Sequence, residues 1–158
     1  MSRLEEFGPD TSFHRLLWDD AQMLPNEKIK LVPDDKIRRV ILCTGKVYFD
    51  LYEEREKRGQ DDIYLLRVEQ LYPFPMKALV QELSRFKQAE VVWCQEEPRN
   101  MGAWTFAEHR IEDALSAIDV AAKRPRYIGR PEAAATATGL YRRHNLEQAK
   151  LVDEAVTA

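Results

Sequence analysis

The sequence predicts an α/β fold, with helices on both faces of a mostly parallel sheet in a three-layer α/β/α arrangement. Two observations carry this reading. Short apolar runs, too brief for helices and lacking polar alternation, read as strands buried on both faces. Between them lie longer stretches with apolar residues at helical spacing, and helices are the right-handed crossovers that parallel neighbours require.

The elements follow in chain order. In residues 1–36 the turn clusters Phe7-Gly8-Pro9-Asp10-Thr11-Ser12, Leu24-Pro25-Asn26 and Val32-Pro33-Asp34-Asp35 leave only Phe13, Leu16, Leu17 and Trp18 as a short apolar patch. This stretch is read as an extended arm or linker lying on another surface, and residues 37–158 as the regular domain. Val40-Ile41-Leu42-Cys43, bounded by Gly45, is the first strand. Val47, Tyr48, Leu51 and Tyr52 then share one face of a charged stretch ending at Gly59, an amphipathic helix with a glycine stop. Ile63 to Val68 reads as a strand, and Pro73-Phe74-Pro75 precedes a helix carrying Leu79, Val80, Leu83 and Phe86. Val91-Val92-Trp93-Cys94 is a strand, and Trp104, Ala107, Ile111, Leu115 and Ile118 mark a helix from about Ala103 to Ile118. Arg126-Tyr127-Ile128 is a short extended segment. The small residues Ala133 to Gly139 lead into a last helix near Leu146, Ala149, Val152 and Val156.

Composition narrows the function classes. The 158 residues carry 24 Lys+Arg against 27 Asp+Glu with no basic stripe, which argues against a nucleic-acid partner. No apolar run approaches the roughly 18 residues that span a bilayer, so no membrane crossing is expected. The stretch from Met1 to Pro9 has no apolar h-region and turns acidic at Glu5, unlike a secretory signal or transit peptide, so the cytoplasm is the expected compartment. Cys43 and Cys94 end apolar runs without CxxC or metal-ligand spacing and read as small buried hydrophobes.

In an open α/β sheet, ligands bind beyond the carboxyl ends of the strands. Those positions hold Thr44-Gly45-Lys46, Glu69-Gln70, Gln95-Glu96-Glu97-Pro98-Arg99-Asn100 and Gly129-Arg130-Pro131. Thr44, Lys46 and the free N–H groups of the following helix suit an anion, with Arg130 as a bidentate clamp. A helix start with a solvated lysine explains the same residues, since neither a P-loop nor a GxGxxG is present. Adjacent Glu96 and Glu97 point to opposite sides of an extended chain. One is expected to cap the helix near Asn100-Met101-Gly102 and the other to pair with Arg99 or Arg130. His14, His109 and His144 are scattered, and Ser84 and Ser116 lie within helices, so hydrolase chemistry has no support. The apolar loop Leu71-Tyr72-Pro73-Phe74-Pro75 is a candidate subunit interface.

Four segments in order carry a resemblance: Val40 to Tyr48, Arg67 to Pro75, Trp93 to Trp104, and Tyr127 to Pro131 continuing through Thr136-Ala137-Thr138-Gly139. Together with Thr11 to Arg15 they resemble the C-terminal domain of the thiamine-diphosphate-dependent first component of 2-oxoglutarate dehydrogenases. The resemblance implies a transketolase C-terminal-like fold. It implies a parent that decarboxylates 2-oxoglutarate on thiamine diphosphate and Mg in the tricarboxylic acid cycle and succinylates the lipoyl group of a dihydrolipoyl succinyltransferase. The chain has no GDG motif, so no catalytic, cofactor or metal residue is assigned, and it reads as an inactive C-terminal fragment whose arm continues a preceding pyrimidine-binding domain. Met1-Ser2 is read as an added start. The implied partners are the rest of the parent and its homodimer mate, in the bacterial cytoplasm or, for a eukaryotic parent, the mitochondrial matrix. The implied role is structural, supporting the dimer, and regulatory, with an effector site for acetyl-coenzyme A or AMP sought at Thr44, Lys46, Gln95 and Arg130. The alternatives are an independent nucleotide- or coenzyme A-binding module, or the matching domain of a pyruvate dehydrogenase or transketolase, against which the Gln-Glu-Glu-Pro and Gly-Arg-Pro motifs argue.

Overall fold

The computed structural model describes residues 8–23 and 28–157. The readings placed on Met1-Ser2, Phe7 and Leu24-Pro25-Asn26 lie outside them. In chain order the elements are β1 (Leu16–Leu17), α1 (Asp20–Met23), a 3-10 turn (Asp34–Lys36), β2 (Arg39–Cys43), α2 (Val47–Arg58), β3 (Ile63–Val68), α3 (Met76–Leu83), β4 (Glu90–Pro98), α4 (Trp104–Ser116), β5 (Arg126–Arg130) and α5 (Tyr141–Val156). The strands form one sheet in the order β1-β3-β2-β4-β5. Strands β2 to β5 are parallel, and β1 runs antiparallel to β3 through the pairs Leu16–Val68 and Leu17–Arg67.

Because right-handed crossovers fix the side on which each helix lies, reversing direction across the sheet changes the face that is covered. From β2 the chain moves to β3 through α2, then crosses back over β2 to β4 through α3, and on to β5 through α4. The inward residues sort accordingly. Val40, Leu42, Tyr64, Leu66 and Trp93 pack with Leu79 and Leu83 of α3 and with Trp104, Ala107, Ile111 and Leu115 of α4. On the other face Ile41, Cys43, Ile63, Leu65, Val92 and Cys94 pack with Val47, Tyr48 and Leu51 of α2 and with Leu151, Val152, Ala155 and Val156 of α5. The expected three layers are present. Cys43 and Cys94 are register partners with free, buried thiols, and burial pushes the Cys43 thiol up to about 12. No helix among the described residues is long and apolar enough to cross a membrane.

Four details differ from the sequence expectations or refine them. Within the stretch read as an arm, Leu16 is buried as part of the sheet, and the wholly buried Asp19 carboxylate meets the Arg55 guanidinium of α2 and accepts the Leu65 N–H at 2.7 Å. Strand β4 runs on from Cys94 to Pro98. Between the pairs Cys94–Ile128 and Pro98–Arg130 it spends four residues where β5 spends two, so the Gln-Glu-Glu segment bulges instead of leaving the sheet. Leu146 and Ala149 of α5 are exposed, because the first half of that helix lies over the polar end of β5, where its inward residues His144 and Gln148 meet Arg130. In the apolar loop, Leu71 and Phe74 pack partly against the core, with Phe74 edge-on to Phe106, while Tyr72 is 79% exposed.

Candidate functional site

The order in which the chain adds strands reverses between the parallel neighbours β2 and β4, and a crevice beyond the carboxyl ends of such neighbours is where α/β sheets hold ligands. Lys46 and Glu96 meet there. Gly45 turns the chain out of β2 with φ +74°, a left-handed conformation open to glycine, and an added Cβ would meet nothing within 4 Å, so the requirement is conformational and not spatial. Lys46 then opens α2, and its Nζ donates to Glu96 Oε1 at 2.5 Å. That bond raises the Lys46 pKa above its ordinary value. Thr44 is half-buried at the end of β2.

Arg130, at the end of β5, is 7% exposed on the same side. Its Nη2 lies 3.2 Å from His144 Nδ1 and donates to Gln148 Oε1 at 3.3 Å, while its Nε sits 3.4 Å from Glu147 Oε2. Gln148 in turn donates to Asp50 Oδ2 of α2 at 2.7 Å, linking β5 to the first turn of α2. The four residues named from the sequence thus divide. Lys46 and Arg130 each sit beside a carboxylate, Glu96 and Glu147, but the cleft that Arg130 lines is bordered by neither Thr44 nor Lys46.

Gln95 faces the opposite layer. Its Nε2 donates to the carbonyls of Glu97 at 3.3 Å, Pro98 at 3.2 Å and Met101 at 2.8 Å, and its Oε1 accepts from Trp93 Nε1 and Trp104 N, both at 3.0 Å. A bulge strips carbonyls of their ladder partners, and a buried carbonyl left unpaired is costly. Gln95 supplies the missing donors, helped by the Tyr127 hydroxyl, which reaches Glu97 O at 3.1 Å and Arg130 O at 2.8 Å. The Glu96 and Glu97 expectation is corrected here. Glu96 pairs with Lys46 and not with an arginine, and at the start of α4, whose N-cap residue Ala103 has no capping side chain, the Trp104 N–H is taken by Gln95 and not by a glutamate. Sequence reasoning did not find Asp50, His144, Glu147, Gln148 or Tyr127. Their shared signal is a polar side chain at an inward position of a helix or beside the bulge, which no local motif marks.

The donor set does not fit a diphosphate held through a divalent cation. Among the described residues no group of three or more His, Cys, Asp or Glu could hold a metal ion, and the crevice carboxylates are tied to Lys46, Arg143 and Thr138.

Comparison with known proteins agrees with this architecture. Residues 1–156 match the family described as 2-oxoglutarate dehydrogenase C-terminal. The chain is 62% identical over 156 residues to the 2-oxoglutarate dehydrogenase E1 components of Brucella anthropi and Brucella ovis, and 60% identical to that of Brucella abortus, covering 99% of this chain in each case. It spans 16% of the length of those relatives. With its motifs, its fold and a match along nearly its whole length in agreement, the chain belongs to the 2-oxoglutarate dehydrogenase C-terminal family.

Proposed function

We propose that this chain serves as the C-terminal structural and regulatory domain of a cytoplasmic 2-oxoglutarate dehydrogenase first component, an oxidoreductase of the tricarboxylic acid cycle. The observation that carries the reading is the 62% identity over 99% of the chain to proteins named as that component. In this reading thiamine diphosphate and Mg are held by the preceding domains of the parent. The parent hands a succinyl group to a dihydrolipoyl succinyltransferase, and this domain supports the dimer. The strand-end residues Thr44, Lys46, Gln95 and Arg130 are, in this reading, where the phosphate of an effector of the AMP or acetyl-coenzyme A type is held. Arg130 is the stronger anchor, because a buried guanidinium binds phosphate in a fixed fork whereas the Lys46 side chain is 71% exposed.

The test has two parts. The purified chain with thiamine diphosphate, Mg, 2-oxoglutarate and a dye acceptor is expected to show no turnover above blank, and measurable turnover removes the non-catalytic assignment. Calorimetric titration with AMP and acetyl-coenzyme A at low salt is expected to give saturable binding that Arg130→Ala weakens more than Lys46→Ala. Binding that neither substitution changes sinks the effector site.

A further inference from the structure

A cleft of about 510 Å³ lies between the loop that follows β5 and the first turns of α5, bordered by Pro98, Arg130, Ala134, Thr138, Arg143 and Glu147. Its polar groups converge on one point. Arg143 Nε donates to Glu147 Oε1 at 2.7 Å, the Thr138 hydroxyl donates to Glu147 Oε2, and Arg130 Nε approaches the same oxygen at 3.4 Å. Arg130 is more than nine-tenths buried, and its Nε makes no hydrogen bond, so this contact is an ion pair only. Leu140, the N-cap residue of α5, gives the helix no side-chain cap and lines the same cleft, and the first N–H groups of a helix have no partner within it. Two guanidinium groups, a hydroxyl and a helix start are the donor set that holds phosphate oxygens elsewhere in proteins. Here Glu147 fills it, while Glu132 also lines the cleft, so that two guanidinium groups face two carboxylates.

We infer that Glu147 is a resident occupant of the anion position, a carboxylate that an incoming phosphate monoester must displace, and that its displacement frees the 134–138 loop. The loop is anchored at its start by Asn100, which bonds both the N–H and the carbonyl of Ala133, and at its end by the Thr138 bond to Glu147. Moving the carboxylate therefore releases the second anchor, and an anion binding event becomes a change in loop order. The inference rests on the effector reading of the crevice but assigns the phosphate to Arg130 and Arg143 and the control to Glu147.

The probe is AMP, with adenosine as the phosphate-free control, titrated calorimetrically into the 158-residue chain and into the Glu147→Gln and Thr138→Val variants. Hydrogen exchange of residues 134–138 is followed in parallel. Glu147→Gln is expected to bind AMP at least about tenfold more tightly, the size of one charged hydrogen bond lost by the competitor, with a smaller gain in Thr138→Val and none for adenosine. AMP is expected to speed exchange of the loop in the unmodified chain. Affinity in Glu147→Gln equal to or below that of the unmodified chain overturns the inference, as does AMP binding that leaves loop exchange unchanged. Thr138→Val keeps the test open if the glutamine variant does not fold. Adding Lys46→Ala separates the two readings. If affinity then stays the same in both backgrounds, the Lys46 part of the crevice reading fails while the role of Glu147 stands. No AMP binding by any variant overturns both.

Discussion

Gly129 has the least room to change of the glycines at the strand ends. A Cβ there would press on the Tyr127 hydroxyl, which is held by its bond to the Arg130 carbonyl, and come within 2.7 Å of the backbone carbonyl of Gln95 in β4. Gly129→Ala is therefore expected to cost roughly 1–3 kcal/mol, the usual range for overpacking. Gly139→Ala, where nothing lies within 4 Å, is expected to leave the denaturation midpoint unchanged. Equal midpoints for the two variants in urea unfolding would show that the close approach at Gly129 relaxes freely. The Gly-Arg-Pro motif was visible in the sequence, but the reason for its glycine was not, because the crowding atoms come from β4 and from two residues upstream in β5.

Strands and helices were legible wherever burial was uniform along an element. The five residues of β2 are all buried, and its run of apolar residues shows it. Legibility failed where a polar side chain does structural work. Gln95 is buried as deeply as the tryptophan two residues before it, yet its amide is a substitute for ladder bonds and looks on paper like the start of a loop. Leu146 sits at good helical spacing but is 64% exposed, because its half of the helix lies over a polar strand end, which spacing alone does not reveal. The opposite end of the sheet shows another such polar joint. Arg39 Nε donates to Glu90 Oε2 at 2.8 Å, and its Nη1 reaches the carbonyls of Ala155 and Thr157 at 2.6 Å, while Arg126 Nε donates to Glu90 Oε1 at 2.5 Å. Burial pushes the Glu90 carboxyl up, but the Arg126 hydrogen bond and the charges of Arg39 and Arg126 outweigh it and hold the pKa below the ordinary 4.5. A carboxyl depressed on folding contributes stability that is complete above its unfolded pKa and fades as pH falls through the folded value. Below pH 4.5 the unmodified chain is thus expected to lose stability faster than Glu90→Gln. Parallel pH–midpoint curves for the two proteins would refute that assignment.

For the whole molecule, the large apolar residues left exposed lie mainly in two stretches, the arm with Phe13, Trp18 and Met23 and the start of α5 with Leu140, Tyr141 and Leu146. Phe13 is 67% exposed, Trp18 42% and Tyr72 79%, and single exposed aromatics are common but several on one small domain invite a partner. Sedimentation over a concentration series is expected to show reversible self-association, in keeping with the proposed dimer-supporting role. A clean monomer at the highest concentration counts against that role. Asp19, described above as a buried partner of Arg55, has a further consequence for solubility. An outer strand with an open ladder of N–H and carbonyl groups is a template on which other chains stack, and β3 is apolar through Ile63, Tyr64, Leu65 and Leu66. With only two residues, β1 covers Arg67 and Val68 alone. The Asp19 carboxylate takes the Leu65 N–H beyond its end, so a negatively charged side chain completes the hydrogen bonding that a longer strand would otherwise supply. The arm thus acts as a guard against edge-to-edge aggregation, and the chain keeps its most aggregation-prone strand out of reach with one short pairing and one carboxylate.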